Sequence, residues 1–347
     1  MKKKAVKAHM APKKQSFWNK LWNKLGRPFF VLAPMANVTD LAFRSMIAKY
    51  GKPDVMWTEF VSADGLVSEG KVKLLIDLKF NKKERPIVAQ LFTGHPEVMN
   101  KAAMIVQDLK FDGLDINMGC PDRSVEKQGG GAALMKNPQK AIEVLNAARE
   151  GAPKIPVSVK TRIGYNAIDM DWICTLLEQK LPVLTVHLRT RKEMSDVPAH
   201  WDLMPEIIKM RDSISPDTLI IGNGDVDSVE DGMNKCKETG CDGVMVGRGI
   251  FGKPWYFSSI KNHKKTIKSE NLTEERSPEF RMKLLLEHAI LFEKAFCGKK
   301  RLKSFDVMKK HFKAYVSGWD GAKEIRVELM NAENAGDVKV VIRRYLK

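Results

Sequence analysis

The chain has 347 residues, 44% hydrophobic and 29% charged, the balance of a folded globular protein rather than a disordered one. No apolar run approaches the roughly 20 residues that a bilayer span requires, and no apolar stretch of a secretory signal follows the basic N-terminus. The net charge of +17 is uneven: residues 1–28 carry nine Lys or Arg and no acid, residues 261–347 carry 21 basic residues against 12 acidic, and the centre is nearly neutral. Basic ends around a neutral centre suit a polyphosphate partner, nucleic acid first among them. The cysteines (Cys120, Cys174, Cys236, Cys241, Cys297) are five, scattered and without a CxxC pair. They argue against a disulfide framework and a zinc site, and for a reducing cytoplasm with no metal.

In chain order, residues 1–28 form a basic N-terminal extension whose "FWNKLWNKL" predicts a mobile tail with one packed turn. From 29 to 260 one pattern repeats eight times: a short apolar run, a polar loop, a helix-period stretch. The runs cover 29–35, 55–63, 87–92, 113–118, 156–161, 183–188, 219–222 and 243–246. Helix-period segments between them include 40–50, 96–109, 138–149, 169–179 and 228–239, several opened by Asp, Ser or a Pro at the first position. The connection after the second run is the least regular. Apolar strands alternating with helices predict a parallel sheet covered on its outside. Eight units, with no GxGxxG opening a helix, predict a (β/α)8 TIM barrel over an open dinucleotide-binding sheet. Beyond 260 the strand signals stop. Segments 278–297, 301–317, 321–330 and 336–346 read as helices of a smaller, basic C-terminal α-helical domain spanning 261–347.

In such a barrel, catalytic groups stand at the carboxyl ends of the strands. Those positions hold Pro34, Met35 and Ala36 in "APMANVTD", then Glu59, Gln90, Asn117 with Cys120, Lys160 with Arg162, and His187 with Arg189. The seventh run ends in Asn223, Gly224 and Asp225, the eighth in Gly247 and Arg248. A single Gln or His there is commonly structural. Lys160 is harder to excuse, because a Lys within an apolar strand is almost never buried without a purpose. The glycine-punctuated seventh and eighth turns read as a phosphate seat, with Arg248 adding a fixed charge. A phosphate there, with Lys and Gln toward the centre, fits a phosphorylated planar cofactor, and flavin mononucleotide (FMN) answers that description.

The assembled pieces "LAPMANVTDLAFR", "PIVAQLFTGHPE", "GLDINMGCPDRSVEKQGGGAALM", "VKTRIG", "VHLRTR", "IIGNGDV" and "GVMVGRGIFGKPW" resemble the tRNA-dihydrouridine synthases. They cover essentially all of 29–260, and "MKKHFKAYVSGWDGAKEIR" resembles that family's C-terminal domain more loosely. Two positions depart from its commonest pattern: Asn37, where Gly is usual, and Leu188, which could alter packing near the base pocket. The resemblance implies reduction of the C5=C6 bond of a uridine in tRNA, with NADPH (or NADH) reducing FMN. Hydride would pass from flavin N5 to C6, and a proton from Cys120 to C5. It implies that Pro34, Met35, Ala36, Gln90, Lys160, His187, Asn223, Gly224, Asp225, Gly247 and Arg248 hold FMN. Asn117 would orient the uracil, Arg162 and Arg189 would meet the base or a neighbouring phosphate, and "GGGAAL" would free the Cys120 loop to close. The chain is expected to act as a monomer away from membranes. The alternatives are an FMN oxidoreductase of a free pyrimidine, which would need no basic helical tail, and a non-catalytic RNA-binding barrel, which would not need Cys120 or Lys160.

Overall fold

The computed structural model describes residues 21–260, 277–298 and 302–346. Much of the basic N-terminal extension and the first part of the basic tail lie outside these. The eight expected strands are present: β1 Phe29–Leu32, β2 Met56–Ser62, β3 Ile87–Phe92, β4 Gly113–Met118, β5 Val157–Arg162, β6 Val183–His187, β7 Leu219–Asn223 and β8 Gly243–Val246. All neighbours pair in parallel, in the order β1-β8-β7-β6-β5-β4-β3-β2. The curl closes at a narrow seam. Val31 and Val55 form a lone bridge there, with Leu32 N–H donating to Val55 O at 3.1 Å and Asp54 N–H to Phe30 O at 2.9 Å. β1 is shorter than the apolar run suggests, because residues 33–40 turn away over the barrel mouth.

The period of two along each strand divides the apolar residues between two cores. Phe29, Val31, Trp57, Val88, Ile221 and Met245 point inward and form one cluster. Phe30, Leu32, Met56, Ile87, Ala89 and Leu91 point outward against the helices. Trp22, from a 3-10 turn at Trp22–Lys24, joins the inner cluster at 2% exposure and plugs the end where the strands begin. Its ring lies 6.1 Å from that of Phe29 and 5.9 Å from that of Trp57. The packed turn of the N-terminal extension is therefore part of the barrel.

The outer helices are α1 Leu41–Tyr50, α2 Pro96–Asp108, α3 Pro138–Gly151, α4 Met170–Glu178, α5 Met204–Ile214 and α6 Val229–Thr239. Asp40, Asn137, Asp169 and Ser228 cap α1, α3, α4 and α6 through their side chains, which explains why these starts show in the sequence. No side chain caps α5, which continues a 3-10 turn at Trp201–Leu203. After β2 come only short pieces, Ala63–Leu66, Lys71–Leu74 and Lys82–Glu84.

Among the described residues four helices follow the barrel: α7 Pro278–Phe296, α8 Lys309–Tyr315, α9 Ala322–Leu329 and α10 Ala335–Tyr345. The helix expected over 301–317 starts only at Lys309. Before it, Ser304 caps a 3-10 turn at Phe305–Met308. These helices share a core with α1, which buries Phe43 and Ile47 with the barrel and Ala42 and Met46 with the C-terminal helices. At this junction the rings of His288 and His311 lie 4.6 Å apart, fully buried beside Phe43. Burial pushes His288 down to about 3, so the pair packs as neutral aromatic rings. No helix among the described residues is long and apolar enough to cross a membrane.

Candidate active site

The inward-facing positions change character at the finishing ends of the strands. Asp115 on β4 is fully buried and accepts from Gln90 Nε2 at 2.7 Å and from Ser158 Oγ at 2.5 Å. Gln90 Oε1 in turn accepts from Asn117 Nδ2 at 3.0 Å. Asn117 Oδ1 then takes the N–H groups of Gly119 at 3.1 Å and Cys120 at 2.9 Å. One chain of hydrogen bonds thus runs from a buried carboxylate to the backbone of the cysteine loop. An amide has two N–H donors, so Gln90 and Asn117 each keep one beyond this chain of bonds, although both are buried and neither is part of the lining of the neighbouring cleft.

Lys160 stands next to Asn117 in the β4–β5 register. Among the described residues its ammonium has no hydrogen-bonding partner. Burial, reinforced by Arg162, brings it down to about 8. His187 is held well below its ordinary value by burial and by Lys160, Arg162, Arg189 and Arg248. Its Nε2 lies 3.2 Å from Arg189 Nη1. A guanidinium can only donate, so Nε2 accepts and the neutral ring carries its proton on Nδ1.

A cleft of about 510 Å³ opens beside these groups, lined by Pro34, Met35, Lys160, His187, Asn223 and Gly224, with Asp225, Gly247 and Arg248 at its outer end. Asn223 Nδ2 is anchored on Met245 O at 2.8 Å. Gly224 takes φ 122°, and a Cβ there would come within 2.8 Å of Ala199; only glycine fits. Asp225 pairs with Arg189 and, at 3.0 Å, with Arg248, and accepts Ala199 N–H at 2.9 Å. The carboxylate therefore organises the two arginines. Arg248 stays 62% exposed and available.

Cys120 is half-buried, and burial raises its thiol above the ordinary value. The triple glycine does not loosen its loop. A Cβ on Gly130 would sit 3.0 Å from Thr93 N, and one on Gly131 2.7 Å from Cys120 O; Ala132 N–H also donates to Cys120 O at 2.9 Å. These glycines let three backbone segments touch, which fixes the loop instead of freeing it.

Gln90, Asn117, Lys160, His187 and Asn223 all stand at the finishing ends of their strands, with Lys160, His187 and Asn223 lining the cleft and Gln90 and Asn117 buried beside it; the two arginines are placed differently. Arg162 is 6% exposed and donates to the carbonyls of Gly119, Thr190 and Met194, all within 3.0 Å; burial holds it down to about 10. Arg189 is 2% exposed and engaged with Val197 O, His187 and Asp225. Both clamp loops around the site. Pro34 and Met35 line the wall, with Met35 N–H donating to Thr39 Oγ1 at 2.9 Å, while Ala36 is exposed and outside the lining. Asn37 has φ 55°, a left-handed turn that glycine would adopt more readily. Leu188 is fully buried in the outer core, between the cleft-lining His187 and Arg189. The sequence reading passed over Asp115, whose only signal is an acid inside an apolar strand; burial raises it to about 6.

A family model described as "Dihydrouridine synthase (Dus)" matches residues 31–346. The chain belongs to the dihydrouridine synthase family. It is 39% identical over 332 residues to "Probable tRNA-dihydrouridine synthase 2" of Bacillus subtilis (strain 168), covering 94% of this chain and 97% of that one. It is 38% identical over 327 residues to "Probable tRNA-dihydrouridine synthase" of Staphylococcus aureus (strain COL), covering 93% and 95%. Among solved structures, a 2-naphthoyl-CoA reductase superposes with a TM-score of 0.53 at 10% identity, over 67% of this chain and 50% of that one. A histamine dehydrogenase from Rhizobium sp. 4-9 gives 0.50 at 11%, over 76% and 48%. The synthase spans about half the length of those two, and they bear on the fold alone. Membership makes this synthase an oxidoreductase that acts on uridine in tRNA, and a flavoprotein.

Proposed function

We propose that the cleft seats flavin mononucleotide, that NADPH (or NADH) is the reductant, and that Cys120 protonates the uracil ring. The observation that carries this reading is the half-buried Lys160 ammonium on the wall of the cleft, which donates no hydrogen bond among the described residues, because such a charge calls for an electron-rich partner. When bound, the flavin supplies hydride to C6 of the base. Lys160 and the free N–H of Gln90 would hold its pyrimidine edge, and Pro34 and Met35 would line the ring. Neutral His187 adds a donor at Nδ1. Arg248, with the glycine-flanked backbone of Asn223 to Asp225 and Gly247, would take the phosphate.

Cys120 suits the acid role because burial keeps its thiol protonated at neutral pH. In the folded protein the proton leaves only above the ordinary cysteine range, so the donor form persists throughout physiological pH. Asn117 holds the backbone of that residue and offers its remaining N–H to the substrate. Arg162 and Arg189 position loops around the base. The target uridine must leave its stack to enter the cleft, and exposed Lys310, Lys313, Lys323, Lys339 and Arg343 on the C-terminal helices would grip the RNA backbone.

Purified full-length protein should absorb near ~450 nm as flavoproteins do, and mass analysis of the released chromophore should give FMN. A colourless protein that cannot be reconstituted with FMN would overturn the cofactor reading. Lys310→Glu with Lys313→Glu should weaken tRNA binding and flatten its salt dependence with flavin retained; unchanged affinity would remove these helices from the grip.

A further inference from the structure

Glu59 and Lys303 stand outside the cleft, yet both are buried. Glu59, on β2, is 4% exposed; one carboxylate oxygen accepts Asn37 N–H at 2.5 Å and the other accepts from the Lys303 ammonium at 2.7 Å. Lys303 lies between α7 and α8, its side chain 10% exposed, and it reaches Asp77 as well, at 2.7 Å. It is fixed to the end of α7: its carbonyl accepts from the Cys297 thiol at 3.5 Å, and its ammonium sits 5.2 Å from the Phe296 ring centroid. Asn37 is two residues past Met35, in the loop that lines the cleft. A left-handed residue other than glycine persists where its surroundings hold it, and Glu59 supplies that hold. Burial pushes the Glu59 carboxyl up and Lys303 pulls it back down.

We infer that Glu59 and Lys303 are positioning residues that register the C-terminal helices against the loop of residues 33–40, so that the basic part of the molecule also sets one wall of the cleft. The role assigned to that wall rests on the flavin reading; the connection itself does not. A surface ion pair would contribute little. A buried one is different, because removing one partner strands the other in the interior.

Hydrogen exchange on the full chain, with flavin release measured in parallel, tests this in Lys303→Met, Lys303→Arg and Glu59→Gln. In Lys303→Met, exchange across residues 34–40 should rise about tenfold, and flavin release with it; Lys303→Arg should restore both to within about threefold of the parent. Glu59→Gln still offers an acceptor to Asn37 but turns an N–H₂ toward the ammonium. It should behave as Lys303→Met does, and it decides the matter if that variant does not fold. Unchanged exchange at 34–40, with only α7 and α8 loosened, would overturn the inference. Faster exchange there with unaltered flavin release would overturn the link to the cleft while leaving the flavin reading standing. Parent protein that binds no flavin would overturn that reading instead, and the exchange comparison would still settle the connection.

Discussion

The same eight strands make both ends of the barrel, and their inward side chains could hardly differ more. Where the strands begin, Trp22, Phe29, Trp57 and Leu219 fill the interior with carbon. Where they finish, Gln90, Asn117, Lys160, His187 and Asn223 stand in the equivalent inward positions, above the buried carboxylate of Asp115. The interior of the first end is stabilised by apolar burial. The second keeps charges and free donors in a low-dielectric site, which opposes folding and prepares the site for a ligand.

Mutation should separate the two ends cleanly. Cys120→Ala should lower turnover about 10²–10⁴-fold, the usual worth of a positioned acid, with flavin and tRNA still bound; near-normal dihydrouridine formation would end the acid assignment. Trp22→Ala acts on the other end. It should destabilise the fold by about 3–5 kcal/mol in denaturant titration and leave turnover per folded molecule unchanged.

Lys160→Met should do the reverse. Its folded value of about 8 lies below the ordinary 10.5, so the folded state disfavours the ammonium at every pH below about 8. Removing it should stabilise the flavin-free protein by about 2 kcal/mol. The gain should fade as pH rises from 8 to 10.5, where the parent loses the proton anyway, and flavin affinity should fall. A destabilised Lys160→Met protein at neutral pH would show that the ammonium has a partner. Asp40→Asn is the smallest change. Asp40 is raised to about 7 from 3.8 by burial, then by Glu59, so its charge costs nothing below pH 3.8 and its full amount above 7. Asparagine keeps the cap on Phe43 N–H and should add about 1 kcal/mol at pH 8, shrinking toward pH 4.

The barrel was legible because its strands are apolar on both faces and its helices announce their starts with Asp, Ser and Pro. The α5 start has no capping side chain, and the broken helix near 305 depends on Ser304 capping a 3-10 turn. Lys160 and Cys120 stood out because their chemistry clashes with their neighbours. Arg162 and Arg189 were harder, since a guanidinium at a strand end looks the same whether it faces substrate or binds carbonyls from loops 28 and 32 residues away. The triple glycine misled for a related reason: sequence shows that glycine is permitted to move, and only packing shows that it is needed for closeness. Lys303 gave no signal at all, because its partners are more than 200 residues distant.

α1 belongs to two cores, and the ribosome makes them at different times. Ile47 can be covered once the neighbouring barrel strands have emerged, but Ala42, Met46 and the side of Phe43 that meets His288 and His311 await the C-terminal helices, α7 first among them. During synthesis the first helix of the barrel therefore carries an apolar stripe until the end of the chain arrives. A nascent chain stalled near residue 260 would display it, which makes this helix the natural place for a chaperone to bind or for aggregation to start.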